Sequence, residues 1–532
     1  MITVREATIS DVEGISAVFQ AVYSDQYIHP QYYDTEALAR LVYGDDSVLL
    51  VAIEDETGRV AGSASVVFSV GAYNDLVGEF GRLVVHPDYR GRGIGNQLME
   101  ARLKFVSPRL HVGLVENRAA HTFSQQISRK FGFVPVGFLP MKMLMFGQRE
   151  SIAVFMKHFG DALELRRNHP RIIPEASRLA GIAMENCGLP LDAIIDETSM
   201  AYPYDDEFEL DELQTEGYTS LLRIQRGRLE NREVFGPVRL HYGLFQLQAR
   251  HSHYLIARRN GQTAGGIGYM HDTVDKVVRI FELISVGEQP IRFLLSSLLQ
   301  RCREELDVAY IDLDVSAYSP RMQRTLLELG FLPTSYVPAN VFHEVERLDV
   351  IKMTNILVPF ELGDVHLCEE MEPIAAAVMR SFAGKKVAPR IAEASQRTRL
   401  FAGLTDEQRQ RLLSICTART FQPGEELYRV GERGDAMHLI LSGQVELVDD
   451  AASIGCVTAG QCVGETALLS DATAQRVHSV TAIARSPVEV GVFPTGDFRE
   501  LIRRRPDIGV VVYRNLAIDV STKLRRSGGL PD

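Results

Sequence analysis

The period of the apolar positions changes along the chain. Ile2-Thr3-Val4-Arg5 reads as a short strand, and Ile15, Val18 and Phe19 recur at helical spacing after Asp11, a capping residue type. SVLLVAIE (47–54) and VAGSASVVF (60–68) are strand runs around the turn residues Asp55-Glu56-Thr57-Gly58, which predicts a hairpin. Leu76–Val85 is a further strand, on which alternation puts Glu79, Gly81, Leu83 and Val85 on one face. A helix from Asn96, a strand over Leu110–Val115, a helix over Asn117–Phe131 and a break at Gly132-Phe133 follow, and 133–145 and 151–158 close as strands.

The same order returns later. Tyr254–Arg259, the hairpin signal Asn260-Gly261, Thr263–Met270, the strand Val277–Val286, an amphipathic helix Ile291–Leu306, the strand Ala309–Val315 and a helix Arg321–Leu329 closed by Gly330-Phe331 form a second copy. Between the copies, a helix lies within Asn168–Leu189, with Pro174 near its start and Cys187-Gly188 near its end, and the acidic DDEFELDELQTE (205–216) reads as a solvated linker. Phe360–Lys386 reads as linking helices. Thr405 caps a short helix, after which brief strands punctuated by Gly424, Gly431, Gly434 and Gly443 predict a jelly-roll-like barrel. Asp507–Arg526 is a closing helix whose Leu516, Val520 and Leu524 stripe predicts core or a dimer seam, so a homodimer is open.

Composition narrows the classes. A length of 532 residues argues for more than one core, and the net charge of −12 argues against broad binding to nucleic acid or anionic membranes. The 6 cysteines are scattered without Cys-x-x-Cys, so neither a metal site nor a disulfide framework is indicated. With no signal peptide and no long apolar run, the expectation is a reduced cytoplasmic protein.

The candidate chemistry starts at LVVHPDYRGRGIGNQL (83–98). A strand, the turn Arg90-Gly91-Arg92-Gly93-Ile94-Gly95 and a helix start together make an anion site, because the first helical N–H groups are unpaired and glycines admit a phosphate closely. There is no Gly-Lys-Ser/Thr, and the order is not Gly-x-Gly-x-x-Gly, which excludes a P-loop and argues against a dinucleotide fold. The stretch resembles the Arg/Gln-x-x-Gly-x-Gly/Ala pyrophosphate loop of the GNAT acyltransferase superfamily, and Asn117-x-x-Ala120…Gly132-Phe133 resembles its second signature with about one helical turn added. The resemblance implies an acetyl-CoA site at Leu83, Val84, Val85, Arg90, Gly91, Arg92, Gly93, Ile94, Gly95 and Asn117, with a backbone N–H near Val84–Val85 on the thioester carbonyl. Glu79, eleven residues before Arg90, is the candidate general base, at the spacing of the catalytic glutamate in protein-lysine acetyltransferases of this family. Where the family often has a tyrosine acid, this chain has Ser124 or Ser128, with solvent, His121 or Tyr89 as substitutes. Tyr89 and His86 otherwise shape the turn.

The second copy resembles the same fold without its chemistry. GEQPIR (287–292) lacks the loop motif, Glu288 stands where phosphate would go, and Glu282 takes no role, so the copy is expected to pack on the first without holding coenzyme A. The C-terminal stretch resembles the cyclic nucleotide-binding domain. Gly464, Glu465, Thr466, Ala467, Leu468, Arg476 and Val477 fall on its phosphate-binding cassette, with Glu465 for the ribose 2′-OH and Arg476 for the cyclic phosphate. Val477 could crowd that phosphate, and no helix-turn-helix is recognised after the closing helix, so no DNA partner is expected.

The expected architecture is α+β: two GNAT-like mixed-sheet domains followed by a β-jelly-roll cyclic nucleotide-binding domain with flanking helices. The expected segments are 1–160 (acetyltransferase), 161–215 (linker), 216–356 (degenerate copy), 357–395 (helical linker) and 396–532 (nucleotide domain). Bacterial cyclic-nucleotide-regulated protein-lysine acetyltransferases join the two functions in the opposite order. The similarity implies an acetyl-CoA-dependent N-acetyltransferase on protein lysine, with cAMP favoured over cGMP as effector. A small-amine acceptor and a non-catalytic sensor are the alternatives, and neither a metal nor a membrane partner is expected.

Overall fold

A computed structural model describes the chain apart from residues 45, 70–75, 204, 206, 214–231, 237–251, 383–397, 450–451, 470–476 and 529–532. It divides into two compact units, Met1–Val378 and Met379–Asp532. Both are mixed α and β.

The first unit is built on one sheet. Its first half contributes β1 (Ile2–Glu6), β2 (Ser47–Glu54), β3 (Val60–Ser69), β4 (Val77–Val85), β5 (Val112–Arg118), β6 (Val134–Met145) and β7 (Gln148–His158), with helices α1 (Val12–Tyr23), α2 (Thr35–Val42), α3 (Ile94–Val106) and α4 (Phe123–Lys130). A small ribbon, β8 (Arg171–Ile172) with β9 (Ile194–Ile195), and α5 (Pro174–Asn186) follow. The second half adds β10 (Glu209–Glu212), β11 (Val234–Phe235), β12 (Ser252–Arg259), β13 (Gln262–Asp272), β14 (Val277–Ser285), α6 (Gln289–Glu304), β15 (Tyr310–Ser316), α7 (Pro320–Glu328), β16 (Leu332–His343) and β17 (Glu346–Ile356). The strand order is β1-β2-β3-β4-β5-β7-β6-β16-β17-β15-β14-β13-β12-β10, with β11 beside β15. That order is nearly a palindrome, so the halves are related by a pseudo-two-fold axis at the β6–β16 seam. The likeness reaches single residues: Arg149 donates to the carbonyls of Met141 and Lys142, and Arg347 to those of Ala339 and Asn340.

At the seam a single ladder pair, Ser335 opposite Gly137, joins the halves, and Ser335 Oγ donates to the Val136 carbonyl at 3.1 Å. A Cβ at Gly137 would stand 2.3 Å from that of Ser335, so only glycine permits this approach. Buried Asp349 then gathers Arg166 at 2.6 Å, the Tyr336 hydroxyl and the Ala339 N–H.

Three local expectations change. Asp11 does not cap α1; its carboxylate accepts from Thr8 N and from Arg5, which secures the preceding turn. The acidic stretch does not stay a linker. Glu209–Glu212 becomes the edge strand β10 because arginines face it, with Arg258 on Asp211 at 2.6 Å and Arg301 on Glu212 at 2.9 Å. Phe360–Asp364 is not helical; the helical residues before the undescribed stretch begin at Glu369. The Asn260-Gly261 hairpin forms as expected, with φ of 52° and 74°.

The second unit packs two four-stranded sheets, β18 (Thr417–Phe421)-β25 (Val488–Pro494)-β20 (Ala436–Ser442)-β23 (Cys462–Val463) and β19 (Glu426–Tyr428)-β24 (Thr481–Ala484)-β21 (Gln444–Asp449)-β22 (Ala452–Thr458), as a jelly roll. Helices α8 (Asp406–Ser414), α9 (Thr466–Leu469), α10 (Thr495–Arg504) and α11 (Pro506–Gly528) flank it. Thr405 caps α8, and Leu516 of α11 is core.

Gly137→Ala should destabilise the first unit by about 1–3 kcal/mol through overpacking. Adding Ser335→Gly should recover most of it. Denaturant unfolding of the single and double variants measures both; an unaffected single variant would remove the seam as a packing constraint.

Candidate functional site

The loop after β4 opens into α3. His86 Nδ1 accepts from the Asp88 N–H and Tyr89 donates to Glu54 at 2.8 Å, so both hold the turn from outside. Tyr89 is thereby tied to β2. Gly91 and Gly93 have φ of 78° and 74°, and a Cβ on either would meet nothing within 4 Å. The N–H groups of Gly91, Arg92, Gly93, Ile94 and Gly95 have no hydrogen-bond partner among the described residues. A Cβ at Gly95 would approach Ile127 of α4 to 2.9 Å, so this glycine lets α3 and α4 close together. The cradle therefore fits a diphosphate: open space, unpaired donors and a helix start.

Below the loop, β4 runs parallel to β5 only from Val77 to Phe80. A bulge then intervenes, with Arg82 at φ 53° and the pairing on β3 shifting between Ser65 and Ser63. The two strands part beyond it. The bulge also breaks the expected alternation. Glu79 and Gly81 lie on one face with Val84, which packs with α1, whereas Leu83 approaches Gly95 of α3. Two residues standing opposite one on β3 reverse the parity.

Glu79 is paired with Arg82 at 3.1 Å, its side chain 36% exposed. Burial works against the Arg82 charge, but Glu79 leads the charges that outweigh it and raise its pKa. In-register pairing with Leu114 puts Glu79 on the face of β5 that carries Glu116 and Arg118. Glu116 pairs with Lys142 at 2.6 Å, and Arg118 with Glu150 at 2.6 Å. Tyr23 and Tyr27, stacked at 4.7 Å, stand over these charges, and burial raises both phenols. This face of ion pairs and tyrosines was not singled out from the sequence, although alternation along β5 marks Glu116 and Arg118.

On the opposite face, Asn117 donates to Ser128 Oγ at 3.0 Å, and Ser128 donates to the Ser124 carbonyl, so Ser128 is committed to holding α4 on β5. Among the described residues, Ser124 Oγ and His121 Nδ1 are buried without a hydrogen-bond partner. Burial, then Arg118, lowers the His121 pKa.

The second half repeats the parting strands and fills the gap. β14 and β15 pair only over Val277–Ile280. β11 lies between them: Val234 and Phe235 pair with Val315 and Asp314, Ser316 N donates to the Glu233 carbonyl at 2.9 Å, and Arg232 reaches the Phe281 carbonyl. Arg279, opposite Asp312, holds the place of Glu79 opposite Leu114. Glu282 is buried against Arg232 at 2.9 Å and Tyr254 at 2.7 Å. Glu288 is taken by Arg321 at 2.6 Å, and only Val286–Glu288 separate β14 from α6.

In the barrel, Gly464 (φ 74°) and Glu465 lead into α9, with Ala467 and Leu468 buried. Val477, 49% exposed, bridges to Arg433. Arg476 lies outside the described residues. His478 stacks on Tyr428 at 3.6 Å under Gly464, and buried His438 lies beside them.

Residues 45–135 match the family model for the acetyltransferase (GNAT) domain, and residues 418–505 match that for the cyclic nucleotide-binding domain. The chain thus carries one domain of each kind. It is 29% identical over 133 residues to a cyclic AMP receptor protein of Thermus thermophilus, covering 24% of this chain and 58% of that one. It is 30% identical over 119 residues to Glutaminase 1 of Bradyrhizobium diazoefficiens, 22% and 19% of the two chains. The chain therefore spans less than two-thirds of the length of these relatives. A solved GNAT superfamily phosphinothricin acetyltransferase from Sinorhizobium meliloti, in complex with acetyl-CoA, is 18% identical, with 30% of this chain and 89% of that one covered and a TM-score of 0.27. Among the described residues, no helix is long and apolar enough to cross a membrane.

Burial, then the neighbouring His478 and Arg419, brings the His438 pKa from 6.5 down to about 4. The unfolded chain then binds more protons than the folded barrel between those values. Barrel stability should be complete above pH 6.5 and fall as pH drops towards about 4. His438→Leu should flatten this slope, read by amide exchange of β20 across the window.

Proposed function

We propose that the chain is an acetyl-CoA-dependent N-acetyltransferase acting on lysine side chains of proteins, with its rate set by cyclic nucleotide, cAMP ahead of cGMP, at the C-terminal barrel. The observation that carries the reading is the contrast within one sheet: the first half keeps an open donor cradle and parted strands beside Glu79, while the second half has its gap filled. Acetyl-CoA supplies an activated acetyl thioester. The Gly91–Gly95 backbone with Arg90 and Arg92 grips the diphosphate, and β4 beyond the bulge offers its backbone to the acyl end, near Val84–Val85. Glu79 takes a proton from the acceptor amine. The amine nitrogen forms the new C–N bond as the C–S bond breaks, and the sulfur leaves as thiolate. His121 and Ser124 are the candidates to meet it, with solvent as the alternative.

A slender cationic stem suits the acceptor face, where Tyr23 and Tyr27 stand over paired charges. Each arginine there already has a carboxylate, so a second anion on the acceptor finds no unpaired cation among them. In the barrel, Glu465 is proposed for the ribose hydroxyl and Arg476 for the cyclic phosphate, with Gly464, Thr466, Ala467, Leu468 and Val477 completing the cassette.

Thiol release from acetyl-CoA with lysine-containing protein and with small amines, each with and without cAMP or cGMP, tests the reading. Glu79→Gln should lower kcat about 10²–10⁴-fold with acetyl-CoA affinity kept. Glu465→Ala should remove the nucleotide response and leave the basal rate. Turnover confined to small amines would replace the lysine assignment, and none on any amine would favour a sensor.

A further inference from the structure

Arg102 lies on the buried face of α3, in the stripe Leu98, Arg102, Val106, and is 1% exposed. Among the described residues it has no carboxylate partner. Its Nη1 donates to the Gly81 carbonyl at 3.2 Å and to the Ser65 carbonyl at 3.3 Å, and its Nη2 contacts Met99 Sδ. Its Nε is buried with no partner, and the guanidinium lies over the Phe80 ring. Gly81 and Ser65 are the last ladder pair before the bulge at Arg82. A buried cation without a counter-ion is costly to keep, and leucine or methionine would fill the same stripe.

We propose that Arg102 is a positioning residue for acyl transfer, clamping the carbonyls at the β4 bulge so that the parted strand meets the acyl end of a cosubstrate whose diphosphate is held at the other end of the same helix. This rests on the acetyltransferase reading. The physical argument is one of length. The cradle ends at the start of α3, and Arg102 follows Gly93 by nine residues, about 13 Å along a helix. A rigid helix gripping the loop at one end and the bulge at the other fixes the span between diphosphate and reacting carbon. Without the clamp the bulge can relax towards regular pairing with β3, and the backbone offered to the acyl end shifts.

The test compares Arg102→Met and Arg102→Lys with the wild type. Arg102→Met is expected to lower kcat about 10²-fold, the scale of a misplacement near 1 Å, with the affinity for free coenzyme A unchanged because the cradle is intact. Its melting temperature should not fall, since an unpaired buried charge is removed. Arg102→Lys, which still reaches the carbonyls with a cation, should recover part of kcat. Amide exchange over residues 80–85 should quicken in Arg102→Met and stay slow in Arg102→Lys. Wild-type kcat in Arg102→Met, or a loss of kcat matched by a fall in melting temperature with no rescue by lysine, overturns the proposal. If the wild type turns over no amine, the acetyltransferase reading fails by itself, and unchanged exchange over 80–85 in Arg102→Met then overturns the clamp.

Discussion

Two parallel strands that part inside a sheet leave backbone donors and acceptors facing a gap, and such groups must find partners. This constraint arises twice in the first unit, at β4 and β5 and again at β14 and β15. In the second half the chain answers it internally, with β11 in the gap and Arg232 on the Phe281 carbonyl. In the first half the described residues supply no such strand, and the gap lies below a loop of unpaired N–H groups. One half is finished as a structure; in the other, the described residues leave the gap open.

The filled half still contributes. Its sheet continues that of the first half across Gly137 and Ser335, and Arg149 and Arg347 hold equivalent carbonyls on the two sides. The Asp349 cluster ties Arg166 and Tyr336 beneath this seam. Buried ion pairs add little net stability, but they make alternative packings expensive. The ion-paired face of the first half thus stands on a broad, fixed floor. Its charges continue towards the second half, where Arg279, Asp312, Asp314 and Lys352 pair.

The barrel solves a different problem. The turn from Gly464 into α9 is backed by Tyr428 stacked on His478, and the lowered pKa of buried His438 avoids a charge beneath it. If nucleotide changes acetyl-CoA affinity by some factor, acetyl-CoA changes nucleotide affinity by the same factor.

Much of this was legible in the residues alone. The two copies, the glycine loop and the C-terminal barrel were visible because strand and helix periods and turn chemistry are local properties, set within about twenty residues. Asn260-Gly261 and Thr405 behaved as their local chemistry dictates. The tertiary structure decided what depends on distant partners. The bulge at Arg82 reversed the face of Leu83 and Val85, because register is a property of two strands. Arginines on other elements turned an acidic stretch into β10. No local pattern marks Arg102, because its partners are two carbonyls that β3 and β4 bring together. Whether a gap between strands becomes a site or is filled by the chain depended on where residues 232–236 ran, which no local pattern encodes.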